Sequence, residues 1–188
     1  MNIEWGSPAA HAFVTNVGII TTNGPIGPNI MAAEWTHQIA YSPGLIAVAI
    51  SNHNNATAAN IRASKEFGVN LASEKQNIAS SISGRSSGKQ VDKIAALKEL
   101  GFSFYTGKKI NALMLENASL NVECKLVQEV KVGSHTLFIG EALDVRVGEK
   151  EPLAFHAGKY WKLDTLIEKP SNEERERMNK VVEAHARN

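Results

Sequence analysis

Two stretches of the chain carry residue types suited to holding a phosphate. Ser51, Asn54, Thr57 and Arg62 gather around one expected helix start, and Ser86, Ser87, Gly88, Lys89 and Lys93 around another. Hydroxyls, backbone amides and cations at helix N-termini are the groups that bind phosphate. Each stretch also has a plainer reading, 51–57 as a helix cap and 84–93 as a solvated loop. A third stretch adds weight to the first reading. In Val17–Thr36, VGIITTNGPIGPNIMAAEWT, the residues Asn29, Trp35 and Thr36 set an amide, an indole and a hydroxyl among small residues, Ala32 and Ala33. A strand that only filled a core would use Val and Ile there. Small side chains let a flat ligand approach the backbone, and the amides along Ala33–Thr36 can then meet its polar edge. A planar group on this run, with a phosphate at the neighbouring helix starts, describes flavin mononucleotide (FMN).

The other reactive residues read less sharply. Trp35 by itself fits a core or interface aromatic as well as a ring platform. His135 opens an expected strand, where it either hydrogen-bonds backbone or supplies a proton. Cys124 alternates with Val122 and Leu126, which favours burial over redox chemistry. Phe155 and Trp161 read as packing. No Gly-x-Gly-x-x-Gly, phosphate loop, His-Glu-x-x-His or serine elbow occurs, and the six histidines show no metal-ligand spacing, so no metal site is expected.

The elements that must position these residues follow from patterning. Val17–Thr36 reads as a hairpin, with an apolar arm (Val17, Ile19, Ile20), a turn rich in Gly and Pro, and an extended second arm from Asn29 to Thr36. Leu45–Ile50 is a continuous apolar run, the mark of a strand buried on both faces. Ala56–Ser64 reads as a short helix capped by Asn55 or Thr57, and Phe67–Leu71 as a strand. Helices are expected at Glu74–Ser83 and Val91–Leu100, the latter stopped by Gly101. Leu120–Leu126 alternates as a half-buried strand. Lys131–Ser134 turns the chain back into a long strand over Thr136–Val147, with a bulge at Gly140. Pro152–Leu163 reads as one more extended segment. Ser171-Asn172-Glu173-Glu174 forms a capping box before a charged helix with a thin apolar stripe of Met178, Val181, Val182 and His185. Strands dominate, with short helices between them, so the fold class is mainly β: a barrel with inserted helices and no doubly wound sheet.

A chain of 188 residues fits one domain with an appendage: residues 1–165 as the ligand-binding domain, and 166–188 as a charged C-terminal helical extension. Net charge of +1 gives no reason to expect nucleic acid or an anionic membrane as partner. A single cysteine excludes an internal disulfide and fits a reducing compartment. The N-terminus lacks the pattern of a signal peptide, and no apolar run approaches the ~20 residues of a spanning helix, so a cytoplasmic setting is expected.

In order along the chain, the Ile20-Thr21-Thr22…Asn29 turn, Trp35-Thr36, Leu45–Ile50, Thr57-x-x-Asn60-Ile61-Arg62, Glu66–Asn70, Ser87-Gly88…Asp92-Lys93, Glu123-Cys124 and His135-x-Leu137-Phe138-Ile139-Gly140-Glu141 resemble the flavin reductase-like family of FMN-binding split-barrel proteins. Within it the sequence is most similar to the flavoredoxin and ferric reductase branch. The resemblance spans roughly residues 8–165 and implies a six-stranded Greek-key split barrel, a homodimer and one FMN per subunit. It implies that Asn29, Trp35, Thr36 and Thr57 contact the flavin, that Ser86, Lys89 and Lys93 reach its ribityl-phosphate end, and that His135 and Phe155 lie beside the ring. It further implies NADH or NADPH as transient electron donor, with free flavin, a ferric complex or a redox partner protein as acceptor. The chain departs from the family's usual pattern at Glu34, where a serine is common, and at Ser42-Pro43-Gly44, where a Pro-Pro pair is common.

Overall fold

The structure, a computed structural model, describes residues 2–53 and 55–185. In chain order the elements are α1 (Pro8–His11), β1 (Val14–Asn16), β2 (Gly18–Thr22), β3 (Asn29–Ala33), β4 (Thr36–Tyr41), β5 (Gly44–Ser51), α2 (Ala56–Ser64), β6 (Glu66–Leu71), α3 (Asn77–Arg85), α4 (Lys93–Glu99), β7 (Phe104–Thr106), β8 (Leu113–Leu115), β9 (Leu120–Val132), β10 (His135–Val147), β11 (Leu153–His156), β12 (Lys159–Lys162) and α5 (Asn172–Ala184).

One antiparallel sheet dominates, in the order β3-β2-β6-β9-β10-β5-β4. Its outermost strands, β3 and β4, are consecutive in sequence, separated only by Glu34 and Trp35. The second arm of the first hairpin therefore breaks, contrary to the single extended run expected, and Trp35 lies at the break. Counted as one bent run, β3 and β4 make six strands that close on themselves, with a seam at the bend. The order β6-β2-β3/β4-β5 is the fourth-first-second-third arrangement of a Greek key. The barrel is split because the chain, not a hydrogen-bonded ladder, joins the two edges.

The break has local causes. Thr36 Oγ1 donates to the Ala33 carbonyl at 3.0 Å, and the Thr36 amide donates to Glu34 O at 3.2 Å. The bend packs on Gly18, where a Cβ would collide with Thr36 Oγ1 and stand 2.7 Å from the Ala33 carbonyl oxygen.

Successive residues of β2 face opposite ways. Ile20 joins the barrel interior with Val48, Ile50, Phe67, Val69, Val122, Cys124, Phe138 and Ile61 of α2. Ile19 joins a second core with Val17, Ile30, Ala79 of α3, Ile94 and Leu97 of α4, and Leu153. That second core fastens α3 and α4 to the outside of the barrel, next to the seam. Cys124 is fully buried as expected, and desolvation, with the Glu123 carboxylate adding to it, pushes its thiol up to about 12.

Most elements lie where the pattern puts them, including the Asn55 cap of α2, the irregularity at Ile139/Gly140 and the capping box of α5. Two helices begin late, α3 at Asn77 and α4 at Lys93, the latter capped by Asp92. Pro152–Leu163 is not one segment. Ala157 and Gly158 both adopt positive φ and make the two-residue turn of a β11–β12 hairpin, which β1 extends to three strands. No residue of α5 is buried.

Gly18→Ala should lower stability by about 2 kcal/mol, since the obstructing carbonyl is backbone and cannot swing away. Gly44→Ala, whose Cβ would rest 3.7 Å from Ala142, serves as the control. Urea denaturation of both variants checks this, and equal midpoints for the two would refute the account of the bend.

Candidate functional site

A groove of about 970 Å³ opens along the seam. β3, at the edge of the sheet, supplies one wall with Asn29, Met31, Ala32 and Ala33. Half the backbone groups of an edge strand have no ladder partner on that side. Ala32 and Ala33 put only small side chains on this wall, and Ala33 is itself buried. Asn29 is buried, and its Nδ2 donates to Thr57 Oγ1 at 2.8 Å, tying the start of β3 to the first turn of α2. The loop after α3 comes so close to this corner that a Cβ on Gly88 would overlap the Asn29 amide. Only glycine fits there.

Trp35 and His135 form the next wall. Their ring centroids are 4.7 Å apart, with planes tilted by 47°. Trp35 remains 49% exposed, so the indole presents a free face at the groove instead of filling a core. Its backbone is held on β5, where the Ala49 amide donates to Trp35 O at 3.0 Å. His135 Nδ1 lies 2.9 Å from Ser134 Oγ. Desolvation, with the nearby His53 adding to it, lowers the His135 pKa below the ordinary histidine value. Phe155 lines the groove from β11, packed edge-on to Tyr160 with centroids 5.5 Å apart.

The polar end is built by α2, the end of α3 and the start of α4. Ser51, Thr57, Ser86, Ser87 and Lys93 all line it. Lys93 is the most telling of these. Its residue is only 3% exposed, yet among the described residues its ammonium makes one hydrogen bond, to Ser83 O at 3.0 Å. Three donors are available on that group. Burial pushes its pKa down to about 8, so the charge is carried at neutral pH at a desolvation cost. An anion in the groove would offset that cost.

Three expected residues are described and are not brought to the groove. The Thr36 hydroxyl turns back to Ala33 O and closes the bend. Arg62 lies five residues beyond Thr57, about 140° around the helix. It pairs with Glu129 at 2.6 Å and lies over the Phe138 ring. Lys89, one residue past Gly88, lines a smaller neighbouring cavity. Asn54 lies outside the described residues. Patterning missed Met31, Ser83 and Arg85, and the N-terminal wall of Trp5, His11 and Phe13. Arg85 was visible in the Gly84–Lys89 run. Nothing in the local sequence marks Trp5 or Phe13; Phe13 reaches the groove because it adjoins β1, which pairs with β11.

Comparison with known proteins agrees with this geometry. Residues 10–164 match the family described as flavin reductase like domain, and the chain belongs to it. It is 30% identical to a ferric-chelate reductase (NAD(P)H) of Archaeoglobus fulgidus over 61% of this chain and 65% of the relative. Among solved structures, flavin reductase PheA2 in its native state superposes with a TM-score of 0.70 at 30% identity, over 84% of this chain and 95% of the other. Flavoredoxin of Desulfovibrio vulgaris (Miyazaki F) superposes with a TM-score of 0.75 at 25% identity, over 92% and 98%. The split-barrel fold and the flavin reductase-like family are thereby established. Among the described residues no cluster of His, Cys, Asp or Glu is arranged to hold a metal, and no helix is long and apolar enough to cross a membrane.

The buried ammonium makes a signed prediction. Its folded pKa of about 8 lies below the unfolded value of 10.5. Between these values the unfolded chain holds more protons, so raising the pH favours the folded state. Without ligand, Lys93→Met should be more stable than wild type at pH 7, and the gap should close between pH 8 and 10.5. Urea midpoints measured across that range test it; a gap independent of pH would show that Lys93 is not a buried cation.

Proposed function

We propose that this chain binds FMN in the seam groove and acts as an NAD(P)H-dependent flavin or ferric reductase. It passes electrons from a nicotinamide donor to free flavin, a ferric complex or a partner protein. The observation that carries it is the incompletely bonded Lys93 ammonium, facing hydroxyls at one end of a groove whose other end is an indole and an amide edge. That donor set fits an anionic, flat ligand, and family membership supports a flavin as that ligand.

The residues divide the work. Lys93, Ser86, Ser87 and Thr57 hold the phosphate end by charge and hydrogen bonds. Arg85 adds a second positive charge to the same end. Asn29 steadies the corner between β3 and α2, and the unpaired β3 edge with the amides about Ala33 meets the polar rim of the ring. Trp35, His135 and Phe155 bound the ring end and exclude water from it. His135, more easily deprotonated than an ordinary histidine, is neutral near pH 7 and can hold or release a proton at its ring nitrogens. When bound, FMN supplies hydride acceptance and electron delivery. The groove is broad enough for a nicotinamide to enter from the open side, transiently and without a dedicated binding domain.

A homodimer in a cytoplasmic setting belongs to the same reading. Half-exposed or more exposed apolar residues on β4 and β10, Ile39, Tyr41, Val145 and Val147, support a partner surface. The flavoredoxin likeness favours one second reading, an FMN electron carrier without its own NAD(P)H turnover. Both readings require the flavin.

FMN titration followed by flavin fluorescence, then NADH and NADPH oxidation with added FMN, tests the proposal. Saturable binding and turnover are expected, and Trp35→Ala should weaken FMN binding about fivefold through loss of ring contact. Binding without turnover would leave the carrier or a non-catalytic flavin-binding module, which reduction by a protein donor separates, and a protein that ignores FMN would end every one of these readings.

A further inference from the structure

Arg62 and Lys89 point to a use for the smaller cavity, of about 350 Å³, beside α2. Lys131 at the end of β9 joins them there, with Asn52 and Thr136. Thr136 Oγ1 donates to Asn52 Oδ1 at 2.7 Å, and Asn52 Nδ2 donates to Gly133 O at 3.1 Å, which sets the amide in the wall. No acidic side chain lines this cavity. Glu129 engages Arg62 from outside the lining, and among the described residues no ion pair engages Lys131. Ile50, Ser51 and Asn55 line both this cavity and the seam groove, so the two meet along a common rim.

Two polar, cationic compartments divided by a rim suit a ligand with two anionic positions. A mononucleotide whose phosphate is held near Lys93 leaves the second compartment to water. A nucleotide carrying one more phosphate crosses the rim and reaches it. We infer that the compartment about Lys131 binds the additional phosphate of a dinucleotide whose ring end occupies the seam groove. The inference rests on the flavin reading of that groove. The shared chemistry is a nucleotide phosphate, and two molecules carry one suitably: FAD, through the adenylate side of its diphosphate, and NADPH, through its 2′-phosphate.

The test compares FMN and FAD titrations, and KM for NADH and NADPH, in wild type, Lys131→Ala and Lys131→Glu. Lys131 lies outside the groove, so FMN affinity should hold in both variants. FAD should bind wild type more tightly than FMN, and Lys131→Glu should lower FAD affinity about tenfold, with a steeper salt dependence in wild type. Unchanged FAD affinity with a raised KM for NADPH alone would support the phosphate site and assign it to the donor. If FMN binds and neither FAD affinity nor the NADPH KM responds to Lys131→Glu, the inference is overturned while the groove reading stands. If wild type binds no flavin, the groove reading fails, and this inference with it.

Discussion

The bend between Ala33 and Thr36 is the constraint on which the rest of the structure depends. It carries one chain run from the first to the last strand of the sheet, and so closes the barrel covalently where no ladder of hydrogen bonds could follow. A fully paired barrel has no free edge and nothing on its wall to offer a ligand. Here the closure leaves a seam, and the seam leaves the β3 edge, the Trp35 indole and the ends of α2 and α3 around one hollow. Gly18 makes this possible by having no side chain where Thr36 must sit.

Buried polar groups elsewhere in the molecule show what is unusual at the groove. Asn70 is completely enclosed, and its amide is answered on both sides: it donates to Ile19 O and accepts from the Leu115 amide and Asn121. The Glu123 carboxylate, 2% exposed, accepts from the amides of Lys108, Lys109 and Ile110. These groups order loops and strands, and their hydrogen bonding is complete enough to make burial tolerable. Lys93 is buried to a similar degree with a single acceptor. The contrast separates polar residues whose hydrogen bonding is complete from one that lines the groove with donors to spare.

The same comparison explains why the basic residues divide between two cavities. Lys93 begins α4 and is fixed by the second core beneath it, through Ile94 and Leu97. Arg62 and Lys131 line the second cavity instead, tied to the long β9–β10 ladder through Glu129 and Thr136. Similar charge in the sequence therefore serves two places, which meet along the rim of Ile50, Ser51 and Asn55.

Short-range chemistry determined much of this protein from sequence alone. Periods of two and of 3.6 residues, capping side chains and Gly-Pro punctuation gave the β-rich architecture, the caps of α2 and α5, burial of Cys124, and the choice of Asn29, Trp35, Thr57, Ser86, Ser87 and Lys93 as candidates, which the structure gathers along one groove. What the tertiary structure decided was direction and closure. Packing against Gly18 makes room for the bend at Glu34-Trp35, and the ion pair with Glu129 and the turn of α2 take Arg62 away from the groove. Phe13 joins the wall through pairing of the adjacent β1 with a strand some 140 residues later. Such long-range contacts leave no local pattern, since a side chain's partners across the sheet are set by register and not by its neighbours in sequence.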